Sequence, residues 1–367
     1  MPVLAPAVAQ ATAGVLTGGV QAALLSRVQT RHHLRSSVRH RLALPAVLPA
    51  ALLVGALALA GCSSDSSTES ATGSADATAS ADASAGDAAT DAAVIAGSDV
   101  GFEASGAFGE KPTLTFSADA APEGLQVQTA SAGDGATIEA GDFVVANYLG
   151  QVWNGDVFDN SYDRGAPSGF SLDGVIEGWS TGLVGQTVGS RVLLTIPSDL
   201  GYGDTGSSDG SIAAGDTIVF VVDVVDAYGA ESTGQADATP TDADVPVTVD
   251  GDLGAPIAKV TVADGATEPT ESAATVLATG TGDPVAAEDQ VIVQYTLTTW
   301  DNADFETSWP SLGGYGMQSA AVSEGSPFAP LVGVPVGSRV LLLLPADAST
   351  ESAALAVVVD VVGTVGS

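Results

Sequence analysis

Between Asp216 and Asp226 the chain reads DTIVFVVDVVD, and this run constrains what the rest can form. Ile218, Phe220, Val222 and Val224 share one side of a strand with period two, so that side must be buried. The other side, Val219, Val221, Asp223 and Val225, is mixed, which predicts a face that is only partly covered. Two further β-rich runs, Asp142–Tyr148 and Arg191–Ile196, supply neighbours, with Leu125–Ala130 as another strand and Pro112–Phe116 as an edge strand. Ile176, Trp179 and Leu183 recur at i, i+3 and i+7, an apolar stripe that predicts one short helix over Val175–Val184 with Gly185 as its cap. An antiparallel sheet with one short helix must bury the helix stripe against a sheet face, which puts Trp179 between them. Aromatics are only 5% of the chain, yet Tyr148, Trp153, Trp179 and Tyr202 all fall within Gly141–Asp226. They are expected to line one apolar pocket.

Charge narrows the class. All three histidines and five of the ten basic residues precede residue 42, and no Asp or Glu precedes Cys62. From Cys62 onward five basic residues face 44 acidic ones, a formal charge of −39 (5 − 44). Such a surface repels phosphate backbones, so no nucleic acid partner is expected. One cysteine allows no intramolecular disulfide. With no His and no second Cys after Cys62, zinc and copper sites are not expected, and a Ser-His-Asp triad cannot be assembled there. No calcium-loop pattern occurs either, so the expected metal is none and the expected cofactor is none.

The amino-terminal segment has its own logic. A basic region, Arg31 to Arg41, precedes an apolar run, Leu42 to Ala60, and then Leu59-Ala60-Gly61-Cys62 followed by polar Ser63-Ser64-Asp65. Basic region, apolar run and small-residue cleavage site together predict an export signal over residues 1–61. L-A-G-C resembles the bacterial lipobox, whose cysteine receives lipid and becomes the new amino terminus. That resemblance implies lipidation of Cys62 and a lipid-anchored position on the extracytoplasmic face of the cell membrane. Residues 1–27 lie upstream of the basic region and are unlike an export signal, so Val28 or Val38 is the expected true start. Residues 62–90, almost all Ser, Ala, Asp, Thr and Gly, cannot offset their ordering entropy by burial and are expected as a disordered acidic tether.

From Leu125 to Tyr228 several separated motifs resemble the FKBP family of peptidyl-prolyl cis–trans isomerases, the receptors of macrolide immunosuppressants. Val145-Ala146-Asn147-Tyr148 resembles the strand with the pocket tyrosine. Val157-Phe158-Asp159-Asn160-Ser161 resembles the F-D-S segment, and Val175-Ile176-Glu177-Gly178-Trp179 the helix start whose tryptophan floors the pocket. Gly201-Tyr202-Gly203 resembles the loop tyrosine that donates to the substrate carbonyl, and Val219-Phe220 the last strand. The resemblance implies Asp159, Tyr202, Trp179 and Phe220 as catalytic residues. It implies Tyr148, Phe158, Val175, Ile176 and Ile212 as substrate-binding ones. Proline-containing polypeptides are the implied substrates and macrolides the implied inhibitors. One departure stands out: an aromatic often found just before the F-x-L segment is replaced, with Ser168 near that place and Phe170 two residues on.

The pattern recurs after a polar linker, 230–244. Asp289–Tyr295 repeats Asp142–Tyr148, Trp300 to Phe305-Glu306 repeats Trp153 to Phe158-Asp159, Leu331–Leu342 repeats Leu183–Leu194, and Ala356–Val362 repeats Val219–Val225. The chemistry does not recur. Ser323, Glu324 and Pro327 stand where Val175, Ile176 and Trp179 would, the Gly-Tyr-Gly loop is missing, and Phe220 becomes Val357. Tyr295 and Phe305 are expected as core.

The resulting expectation is an α+β, mainly β protein of two FKBP-like domains, 91–229 and 245–367. Each is an antiparallel sheet wrapped around a short helix, with the helix in doubt in the second. The expected function is non-covalent acceleration of X-Pro rotation in exported proteins. A non-catalytic chaperone or binding module using the same groove is the alternative. A solute-binding lipoprotein is disfavoured, because its alternating strands and longer helices are lacking.

Overall fold

The computed structural model describes residues 95–96, 99–348 and 352–365. The export signal over 1–61, the lipidation site Cys62 and the tether 62–90 lie outside the described residues. In chain order the first half carries β1 (Ile95–Ala96), β2 (Phe102–Ala104), β3 (Leu114–Phe116), β4 (Gln126–Ser131), β5 (Phe143–Val152), β6 (Val157–Asn160) and β7 (Ser168–Ser171), then α1 (Glu177–Leu183), β8 (Arg191–Ile196) and β9 (Ile218–Tyr228). The second half carries β10 (Thr239–Pro240), β11 (Val247–Asp250), β12 (Lys259–Val262), β13 (Ala273–Thr279), β14 (Gln290–Thr299), β15 (Phe305–Thr307), β16 (Gln318–Ala321), β17 (Arg339–Leu344) and β18 (Leu355–Val365).

The alternating run becomes β9, the centre of a seven-stranded sheet ordered β1-β4-β8-β9-β5-β6, with β7 also pairing β5. All pairings are antiparallel except β1 with β4. Ile218, Phe220, Val222 and Val224 enter the main core with Trp179 and Leu183 of the helix. The helix comes very close to the sheet. A Cβ at Gly178 would stand 2.4 Å from Ile196 Cγ2, and one at Gly182 would stand 2.7 Å from Leu194 Cδ2. Only glycine permits that approach. The helix starts after Ile176, which has extended backbone, and ends before Gly185, whose φ of 86° suits a residue without Cβ.

The reverse face of β9 differs from expectation. Val219, Val221 and Asp223 are fully buried, and only Val225 is exposed. The cover is an antiparallel ribbon of β2 and β3, whose Phe102, Leu114 and Phe116 pack on Val219, Val221 and Leu193. The segment expected as an edge strand of the main sheet, Pro112–Phe116, is thus half of a separate ribbon lying across its back. Trp153 belongs there too. Its ring meets Phe116 edge-on at 4.9 Å, so it does not line the expected pocket. Beneath the ribbon, Arg191 clamps Asp223 with two bonds, 2.6 and 2.7 Å, and donates to the carbonyls of Gly106 and Glu110 in the ribbon's connection. A buried charge pair of this kind is held by the hydrogen bonds that satisfy its remaining donors.

The second half repeats this order as β10-β13-β17-β18-β14-β15, with β16 on β14. The ribbon β11–β12 covers its back, and Arg339 clamps Asp360 at 2.7 and 3.0 Å. Among the described residues this half has only single-turn 3-10 segments, Pro310–Leu312 and Ala329–Leu331, in place of a helix. Residues of the expected linker are tied to the second sheet: Gln235 donates to the Gly337 carbonyl, and Thr239–Pro240 pairs with β13. The halves touch through Phe143 and Val145 against Ile292, Met317 and Val365.

Candidate functional site

The front of the first sheet gathers rings from separate segments. Tyr148 comes from β5, Phe158 from β6, Trp179 from α1 and Phe220 from β9. Trp179 meets Phe220 at 5.2 Å and Tyr148 at 5.6 Å, both nearly perpendicular, and Phe158 meets Phe220 at 5.6 Å. Edge-to-face contact suits ring quadrupoles and fixes the angle of each wall. Trp179, Tyr148, Phe220 and Ile212 are buried at the base. Phe158, Val175, Ile176 and Tyr202 pack on them while remaining partly exposed, as a rim does.

A polar wall stands beside this apolar base. Asp159 accepts a 2.5 Å bond from the Tyr148 hydroxyl at one carboxylate oxygen and a 2.7 Å bond from Arg164 Nη1 at the other. Arg164 Nη2 also reaches the Tyr148 hydroxyl at 2.8 Å and the Ser168 hydroxyl at 3.2 Å. Both Asp159 oxygens are thus committed to fixed donors, which makes it an orienting group in this arrangement. Burial, then the charge of Asp159, pushes the Tyr148 phenol far above its ordinary value, so it stays a donor. Burial, then Asp159 and Asp209, does the same to Tyr202.

Tyr202 sits on the long connection from β8 to β9, residues 197–217. Ile212 anchors that connection in the core, and Ser207 holds it from both sides: its N–H donates to the Ile212 carbonyl and its hydroxyl accepts from the Ile212 N–H, each at 2.9 Å. Hydrogen bonds from Ser207 and Ser211 hold Asp209 below the usual carboxylate range. The corresponding connection in the second half is residues 345–354, too short to carry such a loop.

All nine expected site residues therefore lie in or around one cluster. Sequence reasoning missed two members. Arg164 follows Asp159 by five residues, one of only five cations after Cys62, and that scarcity was the available signal. Phe170 packs against Tyr148 at 5.5 Å and Trp179 at 5.3 Å. It backs the cluster from β7, while Ser168 at the departing position joins the polar wall.

The second front face is different. Tyr295 keeps its bond to Glu306, 2.7 Å, and stays buried. Phe305, expected in the core, is instead 63% exposed. It alternates on β15 with Glu306, and when Glu306 turns in, its neighbour must turn out. Phe328, absent from the sequence expectations, is buried in the core beside Leu331. Among the described residues no group of three or more His, Cys, Asp or Glu could hold a metal ion, and no helix is long and apolar enough to cross a membrane.

Comparison with known proteins adds identity to geometry. The family model described as FKBP-type peptidyl-prolyl cis-trans isomerase matches residues 135–225. The chain is 41% identical over 119 residues to an FK506-binding protein of Streptomyces anulatus, covering 32% of this chain and 96% of that protein. It is 40% identical over 119 residues to a probable FK506-binding protein of Corynebacterium glutamicum, covering 32% and 99%. It is 42% identical over 122 residues to the FKBP-type peptidyl-prolyl cis-trans isomerase FkpA of Escherichia coli, covering 32% of this chain and 44% of that longer protein.

Proposed function

This chain belongs to the FKBP-type peptidyl-prolyl cis-trans isomerase family, and from that premise we propose that the ring cluster around Trp179 is its prolyl site. The observation that carries the reading is the convergence of Tyr148, Phe158, Trp179 and Phe220, from four separate elements, beside a hydrogen-bonded wall of Asp159 and Arg164.

A peptide bond rotates over a barrier of roughly 18–20 kcal/mol, and before proline both isomers are populated. Rotation breaks amide resonance and draws charge off the carbonyl oxygen. An apolar surface that strips water from the amide favours the twisted state, whose carbonyl is less polar. Phe158, Trp179, Phe220 and Tyr148 hold the proline ring, with Val175 and Ile212 completing the walls. The Ile176 N–H and the Tyr202 hydroxyl donate to flanking carbonyls. Asp159 orients Tyr148 and takes no proton. No covalent step is needed. Macrolides of the FK506 type are proposed as ligands of the same cluster.

The wider context is also a proposal. Residues 1–61 direct export, lipid on Cys62 anchors the protein at the extracytoplasmic face, and the tether 62–90 gives the isomerase domain, 91–229, reach toward exported polypeptides. The supporting feature is the order of basic region, apolar run and Leu59-Ala60-Gly61-Cys62. Residues 245–367 are proposed as a second FKBP-like domain that kept the sheet and lost the site.

The test is isomerisation of a short X-Pro peptide by the full chain beside two variants. Tyr202→Phe is expected to lower kcat/KM about tenfold, the loss of one hydrogen bond. Trp179→Leu is expected to lower it roughly 100-fold, because a displaced wall misplaces the ring. A folded chain that leaves the uncatalysed rate unchanged would sink this reading.

A further inference from the structure

The two front faces share a strand register but not its side chains. Gly150 lies opposite Phe220 on β9 and Asp159 on β6. Leu297 lies opposite Val357 on β18 and Glu306 on β15. The two residues occupy the same place in the two sheets. A Cβ at Gly150 would stand 2.6 Å from Phe220 Cε1 and 2.7 Å from Phe158 Cζ. The side chain missing at 150 is therefore the space in which those two rings meet.

The ladder changes at the same point. Between Gly150 and Gln151 the β5–β6 register shifts, so that Gln151 pairs with Val157 and Phe158 is left over as a bulge. A bulge re-aims a side chain, and here both Phe158 and Asp159 turn toward the cluster. β14 and β15 run without the shift, Thr298 opposite Phe305. Strict alternation then sends Phe305 outward once Glu306 turns in. Leu297, fully buried, takes up space on the inner side.

We propose that Gly150 is the positioning residue that opens the prolyl site, by leaving room for Phe158 to fold in against Phe220, and that Leu297 is the plug that closes the second one. This rests on the prolyl-site reading above. The chain thereby carries its own comparison of the open and closed forms of one front face.

Three variants of the full chain test it: Gly150→Leu, Phe220→Val and the two combined. Gly150→Leu is expected to lower X-Pro isomerisation roughly 100-fold and to lower Tm, because Leu has no room beside Phe220. Phe220→Val alone is expected to cost about tenfold in activity. The double variant installs the Leu–Val pair that the second sheet already packs. Its Tm should recover toward the unmodified chain, its activity should stay at the Gly150→Leu level, and its crystal structure should show Phe158 turned out as Phe305 is. Activity that recovers together with Tm would mean strain alone caused the loss, and would overturn the proposal. So would Phe158 still packed on residue 220 in the double variant. If the unmodified chain, though folded, does not isomerise the peptide, the prolyl-site reading falls by itself. The position of the Phe158 ring in the double variant still decides the role of Gly150.

Discussion

The backs of the two sheets are near copies and the fronts are not. Behind each lies a two-stranded ribbon held by a buried Arg–Asp pair, Arg191 with Asp223 and Arg339 with Asp360. In each, the guanidinium also caps carbonyls in the ribbon's connection, Gly106 and Glu110 in one, Gly251 and Ala255 in the other. On the front, the first half has a helix, a long anchored loop and four rings in edge-to-face contact, whereas the second has one-turn segments, a short connection and an outward Phe305. The lesson is that the sheet and its back are held mainly by interactions away from the ring cluster, the Tyr162 hydroxyl on Asp223 at 2.9 Å being the link to the turn that carries Arg164. The front face can differ in its side chains and loops while the ladder behind it keeps the same strand order.

The largest expected effect probes the shared part. Arg191→Met leaves Asp223 as an uncompensated buried charge and is expected to cost about 3–5 kcal/mol in denaturant unfolding. Arg339→Met is expected to cost a similar amount, because its pair has the same geometry. A large loss in one half with none in the other would break the comparison.

A smaller effect separates the fronts. Arg164 braces Tyr148 and Asp159 but is about a third exposed, 35% at the side chain, so its ion pair is partly screened. Arg164→Met is expected to lower isomerisation about tenfold while costing only about 1 kcal/mol of stability. Ser311 follows Glu306 by five residues, as Arg164 follows Asp159, and bonds Glu231 instead. Ser311→Ala is expected to leave isomerisation unchanged, so an equal loss in both variants would argue against a special role for the first front face.

The smallest effect near neutral pH concerns titration. Tyr148 and Tyr202 hold their protons more tightly in the folded chain than in the unfolded one, where the value is 10.0. A raised phenol contributes stability that is fully present below pH 10 and is lost as the pH rises beyond it. Stability followed by calorimetry from about pH 8 to about pH 11 should therefore decline only above about 10. Isomerisation, in which the proposed mechanism uses both phenols as donors, should not fall through their titration below that point. A decline of activity centred near pH 9 would show that one of them is not held as the geometry requires.

Much of this was legible along the chain. The alternation of Ile218 to Val224 and the stripe of Ile176, Trp179 and Leu183 each encode a local periodicity, and each led to the observed element, whereas Phe158-Asp159 was placed by family resemblance alone. The back was harder to read. Nothing local distinguishes an edge strand at Pro112–Phe116 from half of a ribbon lying across the sheet. That choice is made by Val219, Val221 and Leu193, more than 70 residues later, which need a cover. Trp153 went with the ribbon for the same reason.

The sequence by itself determined strands β4, β5, β8 and β9, the repeats of the last three in the second half and the one helix, because period and residue type act over a few neighbours. Strands β2, β6 and β7 and the place of Phe170 were not legible in it. Only the tertiary structure decided which rings face one another. Arg164 reaches Asp159, Phe158 turns inward and Phe305 turns outward according to how β6 and β15 register against β5 and β14. A shift of one residue in a ladder reverses the face of a side chain, and that shift is fixed by packing across strands, where a single missing Cβ at Gly150 leaves the space in which two rings meet.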